Sequence, residues 1–95
     1  MEFRWDPDKA TENAATHGVD FVEASTICGD PLKVTIPDPE HSEGEFRFLS
    51  VGQSVAARVL VVAYSERDGE IRIIHACVAA PKKRRAYESG QRSQS

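Results

Sequence analysis

The chain has 95 residues, 40% hydrophobic and 28% charged, with a formal net charge of −3. That length makes one domain and that apolar share supports a single core, which excludes a chain kept disordered by its charge. No apolar run approaches the roughly 18 residues of a membrane helix, and Met1-Glu2-Phe3-Arg4-Trp5-Asp6 lacks the basic-then-apolar order of a secretion signal, so a cytoplasmic protein without membrane association is expected.

In chain order, Phe3 to Trp5 reads as a short strand. Asp6-Pro7 signals a helix start, because an N-cap carboxylate accepts orphan N–H groups and proline fits the first helical position. The helix is expected from Pro7 to about Thr16, with Gly18 as its left-handed stop. Asp20 caps a second helix, and Glu23 three residues later completes a capping-box pattern. Phe21, Ala24 and Ile27 recur at helical spacing, so this helix should bury one face. Gly29-Asp30-Pro31 ends it. Leu32–Ile36, Phe46–Gly52, Arg58–Ser65 and Glu70–Val78 read as strands rich in β-branched and aromatic residues. The third of these is almost wholly apolar and should be central, buried on both faces. Arg67-Asp68-Gly69 marks a tight hairpin turn. Pro81 opens a basic segment expected to be a last helix.

The order β-α-α-β-β-β-β-α predicts an α+β fold: a small antiparallel sheet, two N-terminal helices on one face, and a C-terminal helix. Residues 1–88 are expected to form one domain, with 89–95 a frayed polar tail.

Charge is unevenly placed. Residues 1–45 hold 3 Lys/Arg against 11 Asp/Glu, and residues 46–95 hold 9 against 4. The second half can therefore present a cationic face to phosphates despite the acidic total. The plainer reading, two solvated surfaces, stays open on charge alone.

There is no phosphate-cradling glycine loop, no HExxH, no GxSxG and no Cys/His ligand set, so nucleotide-dependent and zinc-hydrolase chemistries are not expected. Cys28 and Cys77 have no CxxC spacing and are expected to be plain thiols. The acidic loop Pro37–Gly44, with His41, has unspecific ligand spacing, and no metal or cofactor is expected there. Arg47, Arg58 and Arg72 sit at or near the starts of different strands, and whether they converge is open because neighbouring strands run oppositely. Trp5, Phe46, Phe48 and Tyr64 are core candidates, whereas Tyr87 beside the basic run is expected to be exposed. His17 fits a helix C-terminus, His41 in its loop suits acid–base work, and His75 in an apolar strand suits core or edge packing.

The fragments Trp5-Asp6-Pro7-Asp8-Lys9, Asn13, His17-Gly18-Val19 and Phe21-Val22-Glu23-Ala24 stand in a distinctive order. Gly29-Asp30-Pro31, His41-Ser42-Glu43-Gly44-Glu45, Arg47, Gly52, Arg72-Ile73-Ile74 and Arg84-Arg85-Ala86-Tyr87-Glu88 extend it over nearly the whole chain. The set resembles the BrnT family of toxins from toxin–antitoxin systems. That resemblance implies a RelE-like ribonuclease that cuts RNA without a metal and inhibits translation. It also implies a BrnA-like antitoxin with a ribbon-helix-helix DNA-binding domain, a two-plus-two complex, and contact with promoter DNA only through the antitoxin.

In such chemistry the RNA supplies its own 2′-OH nucleophile, so a protein need add only proton transfer and cationic stabilisation. Arg47, Arg58 and Arg72 are the candidates for phosphate contact, His41 or Tyr87 for proton transfer, and Lys82, Arg84 and Arg85 for guiding RNA. The sequence also departs from the family pattern. His75-Ala76-Cys77-Val78 stands where such proteins commonly read Ser-Ala-Arg-Lys, and Thr16 where a lysine is frequent. A charge-assisted bond from an arginine at position 77 to phosphate would be worth about 1.5–3 kcal/mol. A chain with cysteine there would be slower by roughly one to two factors of ten. A second expectation is therefore a catalytically weakened binding subunit acting through its antitoxin.

Overall fold

The computed structural model describes residues 2–38 and 46–94, with side chains described to Ser89. The elements are β1 (Glu2–Arg4), α1 (Pro7–His17), α2 (Phe21–Ser25) continued by a 3-10 turn (Thr26–Gly29), β2 (Val34–Pro37), β3 (Phe46–Gln53), β4 (Val59–Arg67), β5 (Glu70–Val78) and α3 (Pro81–Gln94). The α+β order read from the sequence is the order observed.

The helix caps form where the side chains require them. Asp6 accepts from the Asp8 N–H at 2.9 Å, and α1 stops at Gly18, whose φ of 68° is the left-handed cap that glycine adopts without strain. Asp20 accepts from the Glu23 N–H at 2.7 Å. Glu23 itself does not close a capping box; its carboxylate turns to Arg58 and Ser54.

One five-stranded sheet carries the fold, in the order β1-β5-β4-β3-β2. Strands β2 to β5 pair antiparallel as expected, and the β4–β5 hairpin turns through Asp68 and Gly69, both at positive φ. The sheet as a whole is mixed, because β1 pairs parallel with β5 through Glu2↔Glu70, Phe3↔Ile71 and Arg4↔Arg72. The physical reason is that β5 ends the meander with a free edge, and β1 is separated from β2 by two helices that cross the sheet.

Those helices seal one face. Val19, Phe21, Ala24 and Ile27 pack on Leu60, Val62, Tyr64, Ile71, Ile73 and Ala76, while Trp5 meets Phe21 edge-on at 6.1 Å and Phe48 stacks on Tyr64 at 5.6 Å. Gly52 permits the close approach of the 3-10 turn, since a Cβ there would lie 3.1 Å from Lys33 Cβ and 3.2 Å from Ile27 Cβ. The apolar strand β4 is central and buried on both faces, as its composition requires.

Three expectations need correction. Leu32 lies ahead of β2 rather than in it. Phe46 is 72% exposed, not core, because it opens β3 on the row of Glu66 near the end of the sheet. Tyr87 is 4% exposed, not open to solvent: α3 folds back over the second face of the sheet and drives this ring inward.

The most telling contact is made by Asn13, 6% exposed on α1. Its side-chain amide donates to Val19 O at 2.9 Å and Ala76 O at 2.8 Å, and its Oδ1 accepts from the Ala76 N–H at 3.1 Å. Strand β1 covers β5 only as far as Arg72, so the Asn13 amide serves as a substitute peptide group farther along the same edge. Asn13→Ala would strand buried backbone groups and is expected to cost about 2–4 kcal/mol of stability. Asn13→Asp should rescue little, because it removes both donors and sets a charge against two carbonyls; urea unfolding checks both.

Candidate functional site

Side chains alternate across a strand, so the residues not facing the helices form a second face. Registers place Arg4, Arg72, Ser65 and Arg47 in one row across β1, β5, β4 and β3. Arg47 and Arg72 are two strands apart, about 10 Å at the usual strand spacing. Ser65 lies between them and is buried to 2%. Arg72 is exposed and lines an open pocket of about 410 Å³ with Phe3, Arg4 and Trp5. Arg4 is steadied by Glu70 at 2.9 Å and Glu2 at 3.5 Å. Arg47 is half-buried, and its carbonyl accepts from the Asp38 N–H at 2.8 Å.

Helix α3 lies over this face. Its Lys83, Ala86 and Tyr87 share an apolar cavity of about 250 Å³ with Val34, Ile36, Leu49, Val51 and Val61. Within the arginine row Arg72 is exposed, Arg47 is half-buried and Ser65 is buried. The exposed guanidinium of Arg72 can attract an anion laid along this row.

The other sequence candidates lie elsewhere. Arg58 sits just ahead of β4, about 23 Å along the strand from Ser65 at the usual rise. Its Nε donates to Glu23 Oε2 at 2.9 Å, one terminal nitrogen reaches Glu23 Oε1, and another bond runs to Gly18 O at 3.0 Å. Ser54 Oγ donates to the same carboxylate at 2.7 Å. The Arg58 hydrogen bonds hold the Glu23 carboxyl below its ordinary range, against the opposing pull of burial. This contact ties the β3–β4 turn to the start of α2.

Tyr87 donates its hydroxyl to Asp30 Oδ2, which also accepts the Gln53 N–H at 2.8 Å, while Asp30 Oδ1 accepts the Leu32 N–H at 2.9 Å. Burial pushes Asp30 up, but Tyr87, these two N–H groups and Lys33 outweigh it and leave the carboxyl below its ordinary range. Lys82, Arg84 and Arg85 are exposed on the first turns of α3, with Arg84 paired to Glu88 at 2.8 Å. The acidic loop at 39–45, and His41 with it, lies outside the described residues.

Cys77 is half-buried and pairs with Val61, at the end of β5 that α3 approaches. It stands five residues from Arg72, about 16 Å at the usual rise. Position 77 is thus outside the arginine row. Sequence reading missed Arg4 and Ser65 as members of that row, since only the parallel pairing of β1 brings Arg4 in. It also missed the meeting of His17 and His75, whose Nε2 atoms lie 3.0 Å apart. Among the described residues no group of three or more His, Cys, Asp or Glu is placed to hold a metal.

Burial and the adjacent His17 ring hold His75 below its ordinary value of 6.5. The unfolded chain therefore takes up a proton at His75 before the folded one does, so stability should fall as pH drops below about 6.5. Glu23 adds a further loss below its ordinary 4.5, where its folded-state charge is given up. Urea midpoints measured across acidic pH should show both windows; His75→Ser flattens the upper one and Glu23→Gln the lower.

Comparison with known proteins agrees with this architecture. The family described as ribonuclease toxin, BrnT, of type II toxin–antitoxin systems matches residues 5–82. Among solved structures, the chain is similar to the crystal structure of the Brucella abortus ribonuclease toxin BrnT. The TM-score is 0.66 at 19% identity, over 84% of this chain and 97% of that one, a likeness of fold. No curated protein matches the chain.

Proposed function

The chain belongs to the BrnT family of ribonuclease toxins of type II toxin–antitoxin systems, and from that premise we propose that it is a metal-independent endoribonuclease whose arginine row binds the scissile phosphate. The observation that carries this reading is the alignment of Arg47, Ser65 and Arg72 in one row across the sheet, with Arg72 exposed. A guanidinium offers paired N–H donors matched to phosphate oxygens, and two of them spanning one strand can grip an anion from both sides.

In this assignment the RNA 2′-OH attacks the adjacent phosphorus, leaving a cyclic phosphate and releasing the 5′-oxygen of the next nucleotide. Arg72 and Arg47 offset the charge that accumulates on the non-bridging oxygens. The need for a 2′-OH makes DNA a non-substrate. His41 is the group assigned to proton transfer. Tyr87, committed to Asp30 at the far end of the sheet, is left out, and Arg58, clamped by Glu23, is assigned to holding the β3–β4 turn. Lys82 and Arg85, exposed on α3, attract the RNA chain from the side.

A type II family implies an antitoxin partner. In this reading it is BrnA-like, binds as a two-plus-two complex in the cytoplasm, and prevents RNA from reaching the arginine row.

The test is cleavage of a single-stranded RNA and its DNA counterpart by the antitoxin-free protein, with EDTA present. RNA should be cut and DNA spared. Arg72→Ala and Arg47→Ala should each slow cutting about ten- to a hundredfold. Because position 77 lies away from the row, Cys77→Arg should change the rate little. Cutting by that variant alone would instead identify the natural chain as a disabled toxin kept for antitoxin binding.

A further inference from the structure

At the C-terminal end of α1, His17 and His75 meet with their Nε2 atoms 3.0 Å apart. Their ring planes cross at 80° and their centroids lie 4.6 Å apart, too close for two imidazoles meeting head-on through those nitrogens. The rings therefore approach at a bend. An N–H···N hydrogen bond weakens as it departs from a straight line. A bend is natural, however, for two imidazoles directed at a third atom beside both nitrogens. With zinc–nitrogen bonds of about 2.0–2.1 Å and a right to tetrahedral angle at the metal, the two ligand nitrogens stand about 2.9–3.4 Å apart.

The surroundings suit an ion. Both histidines are exposed and line an open pocket of about 280 Å³ together with Lys9, Glu12, Asn13 and Thr16, which leaves room for water ligands. A neutral imidazole nitrogen offers the lone pair that a metal ion takes up. The backbone also aims it: Ala63 pairs with His75 and Tyr64 with Ile73, leaving Ile74 as an extra residue in β5. Such a bulge redirects the side chains that follow it.

We propose that His17 and His75 bind one zinc ion through their Nε2 atoms, with water completing the coordination. Imidazole is a preferred zinc ligand. Glu12, in the same pocket, is placed to accept hydrogen bonds from the metal's waters, whereas Lys9 opposes the added charge. With two protein ligands the site binds more weakly than a closed structural zinc. Its effect is mechanical: the ion joins the end of α1 to β5 across 58 residues of sequence.

The test is calorimetric titration of the chelator-stripped full chain with zinc chloride, paired with thermal unfolding. One ion should bind per chain and raise the unfolding midpoint by several degrees. Both effects should vanish in His17→Gln and in His75→Ser, with circular dichroism confirming that each variant is folded. In the natural protein, the ring resonances of both histidines should shift on adding zinc, a readout that needs no variant. Absence of binding, binding that survives in both variants, or ring signals that stay in place would overturn the proposal. Neither histidine belongs to the arginine row, so the outcome is independent of whether the protein cuts RNA.

Discussion

A single side-chain amide holds the two halves of this molecule in register. Strand β1 is only three residues long and leaves part of the β5 edge uncovered. Asn13 completes that edge by bonding both polar groups of the Ala76 peptide units it faces, and a third bond to Val19 fixes the chain as it leaves α1. Because those groups are buried, any rotation or slide of α1 would leave several of them without partners at once. The helix therefore has one allowed position. That position delivers Val19 and Phe21 to the core and carries His17 to His75.

The two ends of the sheet are electrostatically unlike. At one end, carboxylates from the acidic first half anchor groups from the basic second half: Glu23 holds Arg58, and Asp30 holds Tyr87. These contacts fasten the β3–β4 turn and α3 to the rest of the fold. At the other end, Arg47 and Arg72 flank Ser65 in one row across the sheet. The charge asymmetry of the sequence is thus divided, part holding the fold and part placed along the arginine row, where Arg72 is exposed. A pI near 5.6 conceals this row because acids outnumber bases in the chain as a whole.

What could be read in advance follows from range. Asp6, Gly18 and Asp20 act on atoms two to four residues away, so their caps were legible, as was the Asp68-Gly69 hairpin. The apolar run of β4 marked it as central for the same local reason. The family resemblance carried the function class, which the family match bears out. The candidate site was only partly legible. Arg47 and Arg72 were singled out, but their alignment depends on the register of three strands, and Arg4 joins them only through a parallel pairing with no local signal. Tyr87 misled because its neighbours are charged; the helix buries one side, and position 87 falls on it. Glu23 fitted a capping box in spacing, yet an arginine 35 residues away competed for its carboxylate and won.

The parallel pairing of β1 with β5 also sets an order of assembly during synthesis. Glu2–Arg4 leaves the ribosome long before Glu70–Arg72, its partner segment, has been translated. The meander β2 to β5 can form as its hairpins emerge, but β1 must wait until β5 has been made. A fragment released early, from a broken message or a stalled ribosome, lacks Arg72 and has no edge for β1 to join. Such incomplete products cannot display the finished cationic row, so the topology confines that surface to chains translated past β5.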